Sequence, residues 1–177
     1  MSSTPDNLPD KAPDAAQPDS TPPVFFQIPL EPIHFPDGGC QFVIEASLGV
    51  GPSTDNSAQR HVLRLLVDTG ANISVLDRDR AVALLGQAAL STSDLQTMDL
   101  QQVHDQTQLV PNAVLAFEGL ALPARQMLVV DLGNANRMYK ELGKPPIDGF
   151  LGGDLLLELR AEIDYRLAAI RVQPPSL

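Results

Sequence analysis

Leu65-Leu66-Val67-Asp68-Thr69-Gly70-Ala71-Asn72-Ile73-Ser74-Val75-Leu76 sets one aspartate at the exit of an apolar strand, with a hydroxyl residue and a glycine directly behind it. Val67 closes a run of buried type, Gly70 allows a turn too tight for a side chain, and Ile73 to Leu76 resume an apolar strand. The Asp68 carboxylate is therefore expected on a bend of rigid backbone, fixed well enough to do chemistry.

On the N-terminal side, Gln41 to Val50 alternates apolar and polar residues through Phe42, Ile44, Ala46 and Leu48. Gly51 to Ser57 reads as a turn and Arg60 to Val67 as the returning strand, a hairpin that delivers Asp68 at its end. On the C-terminal side, Asp77 is placed to cap a short helix over Arg78 to Leu85, stopped by Gly86. Further strands are expected over Leu95 to Val103, Gln108 to Phe117 and Met127 to Val130. A polar, helix-capable stretch from Ala135 to Leu142 then reads as a surface insertion, within about residues 132 to 146.

A second corner follows in Ile147-Asp148-Gly149-Phe150-Leu151-Gly152-Gly153-Asp154-Leu155-Leu156-Leu157, where an apolar strand ends on glycine and a short helix begins. Asp154 reads as a cap of that helix. Ala161 to Tyr165 and Ala169 to Val172 form a last hairpin around Arg166-Leu167, with Asp164 a hairpin residue.

Prolines at 5, 9, 13, 18, 22, 23, 29, 32 and 36, interleaved with Asp6, Asp10, Asp14 and Asp19, cannot build a helix or a sheet interior. Residues 1–23 are read as a disordered Pro/Asp-rich tail, either a solubilising leader or a docking segment, ahead of one folded domain over 24–177. Val24-Phe25-Phe26-Gln27-Ile28 is apolar enough to be an extended arm that packs on the domain or pairs at an interface.

Composition narrows the function. The chain has 177 residues, 44% of them hydrophobic, which is room for one domain with a sizeable core. A formal net charge of -10, with no cluster of Lys and Arg, argues against a nucleic-acid partner. Cys40 stands alone, so it forms no internal disulfide, and it reads as a small strand residue. His34, His61 and His104 lack ligand-like spacing, so neither a metal nor any other cofactor is expected. Met1 to Asp6 has neither the positive start nor the apolar core of a signal peptide, and no apolar run is of membrane-spanning length. As written the chain reads as cytoplasmic and free of membrane; a mis-assigned start codon is how an export signal could be hidden.

These residues resemble the retropepsin-like aspartic proteases, bacterial members with a single motif especially. The likeness rests on Leu65 to Leu76, on Phe150-Leu151-Gly152, and on the closing run Ile147 to Asp154 followed by Ala161-Glu162-Ile163-Asp164-Tyr165; it covers roughly residues 39 to 173. It implies an all-β fold, an acid-protease β-barrel with short helices and one lobe per chain. It also implies peptide hydrolysis by two carboxylates that share a proton and activate a water between them. The sequence holds one Asp-Thr-Gly and is too short for two lobes, so a homodimer pairing Asp68 with Asp68 of its mate is expected, acting on a peptide or protein substrate.

By the same resemblance, Asp68 is the catalytic acid and base, Thr69 hydrogen-bonds across the dimer and braces the loop, and Gly70 permits the bend. Ala71 and Asn72 face the substrate, Asn72 having the alternative of a loop amide satisfied by local backbone. Phe150, Leu151 and Gly152 form the second corner. Two departures from the family pattern stand out. No glycine occurs from Gln87 to Glu118, so a flap around Gln102 to Gln106 turns by other means, and the chain ends Gln173-Pro174-Pro175-Ser176-Leu177, where prolines block further strand pairing. Three functions remain in view: an aspartic endopeptidase, a retropepsin-like dimerisation or peptide-binding module with little or no catalysis, and a self-processing regulator.

Overall fold

The computed structural model describes residues 24–51, 60–93, 97–98, 103–104 and 107–173. The tail expected over residues 1–23, most of the turn expected over 51–57 and the proline end at 174–177 lie outside the described residues.

The strands are β1 (Phe26–Pro29), β2 (Glu31–His34), β3 (Cys40–Val50), β4 (His61–Val67), β5 (Val75–Asp77), β6 (Ser91–Ser93), β7 (Thr97–Met98), β8 (Val103–His104), β9 (Thr107–Phe117), β10 (Leu120–Ala121), β11 (Arg125–Val130), β12 (Gly149–Leu151), β13 (Glu162–Asp164) and β14 (Ala169–Val172). Three short α-helices join them, α1 (Arg78–Leu85), α2 (Gly133–Glu141) and α3 (Gly153–Glu158). The fold is all-β, as expected.

Six strands close into a barrel in the order β3, β4, β12, β5, β11, β9, because β9 turns back to pair with β3 from Ser47↔Ala116 to Val50↔Ala113. Closure removes sheet edges and encloses an apolar interior. Leu48, Leu65, Val110, Leu115, Leu151 and Leu155 are fully buried there. Pro111 sits within β9 without breaking the barrel. Two β9 residues, Pro111 and Asn112, stand against one residue of β11, so the proline occupies a bulge where no ladder donor is needed, and Asn112 takes φ 53.

β12 is threaded between β4 and β5, parallel to the first from Gly149↔Leu65 to Leu151↔Val67 and antiparallel to the second. This insertion brings the Phe150-Leu151-Gly152 corner beside Asp68. The proline-rich lead-in supplies two edge strands, β1 with Pro29 and β2 with Pro32, where a missing N–H costs no inner ladder bond. β1 pairs antiparallel with the chain's own β14, so the arm expected at 24–28 packs on its own domain in the three-stranded sheet β1-β14-β13.

Asp77 caps α1 as expected, its Oδ1 accepting from Arg80 N at 3.0 Å, and Gly86 ends the helix. Two expectations need correction. Leu95 to Val103 is not one strand: Thr97↔His104 and Met98↔Val103 pair antiparallel, so the chain reverses inside that run, which lacks a period-two apolar pattern. Most of the flap expected at 102–106 lies outside the described residues, and Val103–His104 belongs to the returning arm of this hairpin.

The second correction concerns α2, which is no mere surface insertion. Its Tyr139 is 1% exposed and joins Ile33, Val43, Leu66, Leu132 and Ile147 in a second apolar cluster. The Tyr139 hydroxyl donates to Gln41 Oε1, and burial pushes its pKa up. Asn136 on the same helix clamps Ile147 like a strand partner, Nδ2 donating to the Ile147 carbonyl at 3.0 Å and Oδ1 accepting its N–H at 2.9 Å. Ile147 leads into β12, so α2 helps to place the corner. Among the described residues no helix is long and apolar enough to cross a membrane.

Candidate active site

Asp68 follows the last residue of β4, and its backbone is tied to the second corner, Asp68 N donating to the Leu151 carbonyl at 3.0 Å. The loop closes on itself as Ala71 N donates to Asp68 O at 3.2 Å. Gly70 N donates to Asp68 Oδ1 at 2.9 Å, fixing one carboxylate oxygen. A β-carbon on Gly70 would stand 3.3 Å from Asp68 Oδ1, so the glycine makes room for the aspartate's own carboxylate; its φ is not in the left-handed region.

Glycine is demanded more strongly at the partner corner. A β-carbon on Gly152 would stand 2.7 Å from the Ile73 carbonyl carbon and 3.0 Å from Ala71 O, and one on Gly149 2.2 Å from Val75 O. The two corners are packed backbone on backbone. From α3, Gly153 N donates to Ala71 O at 2.7 Å and Asp154 N to Asn72 O at 3.2 Å.

Ser74 and Asp154 complete the lock, and sequence reasoning missed both roles. Ser74 is 2% exposed; its N–H and its hydroxyl both donate to Asp154 Oδ1, at 2.8 and 2.6 Å, and its Oγ accepts from Gly152 N at 2.9 Å. Asp154 was expected to cap α3, yet Gly152 occupies the cap position. The Asp154 carboxylate instead crosses to the aspartate loop, adding one bond from Leu155 N at 2.8 Å. A serine four residues after an apolar run ends on Asp-Thr-Gly gave no signal of this.

The remaining candidates separate by exposure. Thr69, Gly70 and Asn72 stand exposed, Asp68 and Ala71 are half-buried, and Leu151 and Gly152 are buried beneath the half-buried Phe150. Among the described residues the Asn72 carboxamide makes no hydrogen bond. Asp68 and Thr69 line a recess of about 180 Å³ with Cys40, Gln41, Phe42, Leu66, Val67 and Tyr165. Phe42 and Tyr165 meet edge to face there, ring centroids 5.3 Å apart, so one wall is aromatic.

Other carboxylates are committed elsewhere. Asp164 Oδ1 accepts from Arg166 N and Leu167 N in the β13–β14 turn, the hairpin role expected. Asp148, at the entrance to β12, accepts from Arg64 N at 2.8 Å and pairs with Arg80 Nε at 3.1 Å. Burial pushes its pKa up, against the pull of the Arg64 N–H and the Arg80 charge.

A closed six-strand barrel with an Asp-Thr-Gly loop locked to a buried apolar-glycine corner is the retropepsin-like fold, and a solved structure agrees. A retropepsin-like aspartic protease from Rickettsia conorii is similar with a TM-score of 0.50 and 19% identity, over 89% of this chain and 97% of that one. The retroviral protease-like domain of Ddi1 from Leishmania major gives 0.45 and 11%, over 76% and 94%. No family profile matches the chain, and no curated protein does.

Proposed function

We propose that the protein is an aspartic endopeptidase in which Asp68 of two copies forms one catalytic pair in a homodimer. The observation that carries this reading is the held carboxylate: Asp68 Oδ1 is fixed by Gly70 N at the mouth of a recess, while the backbone on either side is pinned to the second corner. Two such carboxylates about 3 Å apart share one proton, because both cannot ionise at that distance. One oxygen then takes a proton from the attacking water while the shared proton passes to the peptide carbonyl oxygen, and no covalent intermediate is needed. On this reading Thr69, exposed beside Asp68, bonds across the dimer, and Ala71 and Asn72 meet a peptide bound by strand addition.

The test is cleavage of a denatured protein mixture from acidic to neutral pH by the wild type and by Asp68→Asn. The wild type cleaves and the variant does not; equal activity in the two would end this reading. A rival, a dimerisation or peptide-binding module with little catalysis, is favoured by the absence of glycine from 87 to 118, where a flap has to turn. In its peptide-binding form it predicts a monomer at high micromolar concentration that still binds a partner through residues 1–36.

A further inference from the structure

We infer that Asp154, acting through Ser74, is a positioning residue for the Asp68 loop. This rests on reading Asp68 as the catalytic carboxylate. The hydroxyl of Ser74 has one hydrogen and two lone pairs. The hydrogen is committed to Asp154 Oδ1 at 2.6 Å, which turns the lone pairs toward Gly152 N at 2.9 Å. Gly152 follows Leu151, whose carbonyl accepts the Asp68 N–H at 3.0 Å. A relay of Asp154, Ser74, Gly152, Leu151 and Asp68 therefore links an exposed side chain on α3 to the backbone of the reacting residue.

The contact is long-range, Ser74 and Asp154 lying 80 positions apart, and its stakes are set by burial. Without the Ser74 hydroxyl, the buried Gly152 N–H has no acceptor beside it; without Asp154 Oδ1, three donors lose theirs at once, Ser74 N, Ser74 Oγ and Leu155 N. Gly152 lies directly on the 71–73 backbone, where a β-carbon would stand 2.7 Å from the Ile73 carbonyl carbon, so the polar bonds between these backbones set the register. A two-carboxylate site is sensitive to such looseness, because the coupling between two charges falls with their separation.

Asp154→Ala, Asp154→Asn and Ser74→Ala are compared with wild type by peptide cleavage and by amide hydrogen exchange. Asp154→Ala is expected to lower kcat about 10- to 100-fold with KM changed less than about threefold, the penalty of a slightly misplaced reacting group. Its bell-shaped pH–rate profile narrows, because the two carboxylates of the pair are less tightly coupled; Cys40 and Tyr165, which also line the recess, are present alike in both proteins. Asp154→Asn keeps both acceptor bonds to Ser74 and recovers most of the rate. The double variant Asp154→Ala, Ser74→Ala loses little more than the worse single one.

In exchange, the Gly152 and Ser74 amides of Asp154→Ala lose protection while Val110 and Leu115 in the barrel keep theirs. Unchanged protection at Gly152 and Ser74 overturns the positioning role whether or not the protein cleaves anything. So does a rate loss that only tracks the unfolded fraction with profile width intact. A wild type without Asp68-dependent cleavage sinks the protease reading alone, and the exchange arm then decides the relay by itself.

Discussion

Gly149 lies against Val75 so closely that a β-carbon on the glycine would stand 2.2 Å from the valine carbonyl oxygen. That oxygen belongs to the neighbouring barrel strand, and Leu65 Cδ2 presses from the other side at 3.0 Å. Gly149→Ala forces β12 away from β5, and because backbone cannot rotate aside as a side chain does, the cost is about 3 kcal/mol or more. Urea unfolding measures it. Gly152→Ala behaves alike; a loss below about 1 kcal/mol in both would contradict the packing described at the two corners.

Asp68→Asn leaves the fold intact, since an amide oxygen still accepts from Gly70 N. Its unfolding free energy stays within about 0.5 kcal/mol of wild type, the ordinary range for a substitution that strands no buried group. On the proposed reading, cleavage by the wild type is expected to depend on concentration, the specific rate climbing with protein concentration until the dimer saturates. Sedimentation run beside the assay relates the two, and a specific rate flat across the dissociation range contradicts a shared site.

Tyr139 separates packing from hydrogen bonding. Tyr139→Phe removes only the bond to Gln41 and costs about 1 kcal/mol. Tyr139→Ala empties the second cluster and frees α2 from Ile33, Val43 and Leu66, at about 3–5 kcal/mol. Because Asn136 on that helix clamps Ile147, Tyr139→Ala also lowers cleavage measured on the folded fraction, whereas Tyr139→Phe does not.

Two carboxylates give opposite pH signatures. Burial holds the folded Asp148 pKa above its ordinary value, so its ionised form costs stability that is recovered as pH falls below the unfolded value. The stability of wild type relative to Asp148→Asn therefore falls as pH rises from the acid range through the folded titration. Glu158 is the reverse: its two-point bond to Arg125, at 2.7 and 2.9 Å, lowers its pKa, giving stability present above the unfolded value and lost as pH falls through the folded one. That contribution is below about 1 kcal/mol, since the pair is partly exposed. Denaturant titrations between pH 3 and 7, about the ordinary range of both groups, show the crossing slopes.

Much of this was legible because local patterns and the tertiary answer coincide. Alternation in Gln41 to Val50, the apolar run ending at Val67, the Asp77 cap and the Gly86 stop all report local geometry, and each appears near its expected place. Phe150-Leu151-Gly152 was readable as a corner, and proline placement anticipated sheet edges. What stayed hidden depends on contacts between distant positions: β9 closing on β3, Tyr139 turning a polar helix into a core element, and Asp154 reaching past its own helix to Ser74. No periodicity encodes those. Leu95 to Val103 failed for a local reason, since its apolar residues are not spaced in twos and the chain doubles back within it.

The threading of β12 between β4 and β5 also sets an order of events during synthesis. Asp68 leaves the ribosome about eighty residues before the strand that gives its loop a rigid seat, and such distant pairings form late. A nascent chain therefore carries the aspartate on an unseated loop until the segment near Leu151 arrives and its carbonyl accepts the Asp68 N–H.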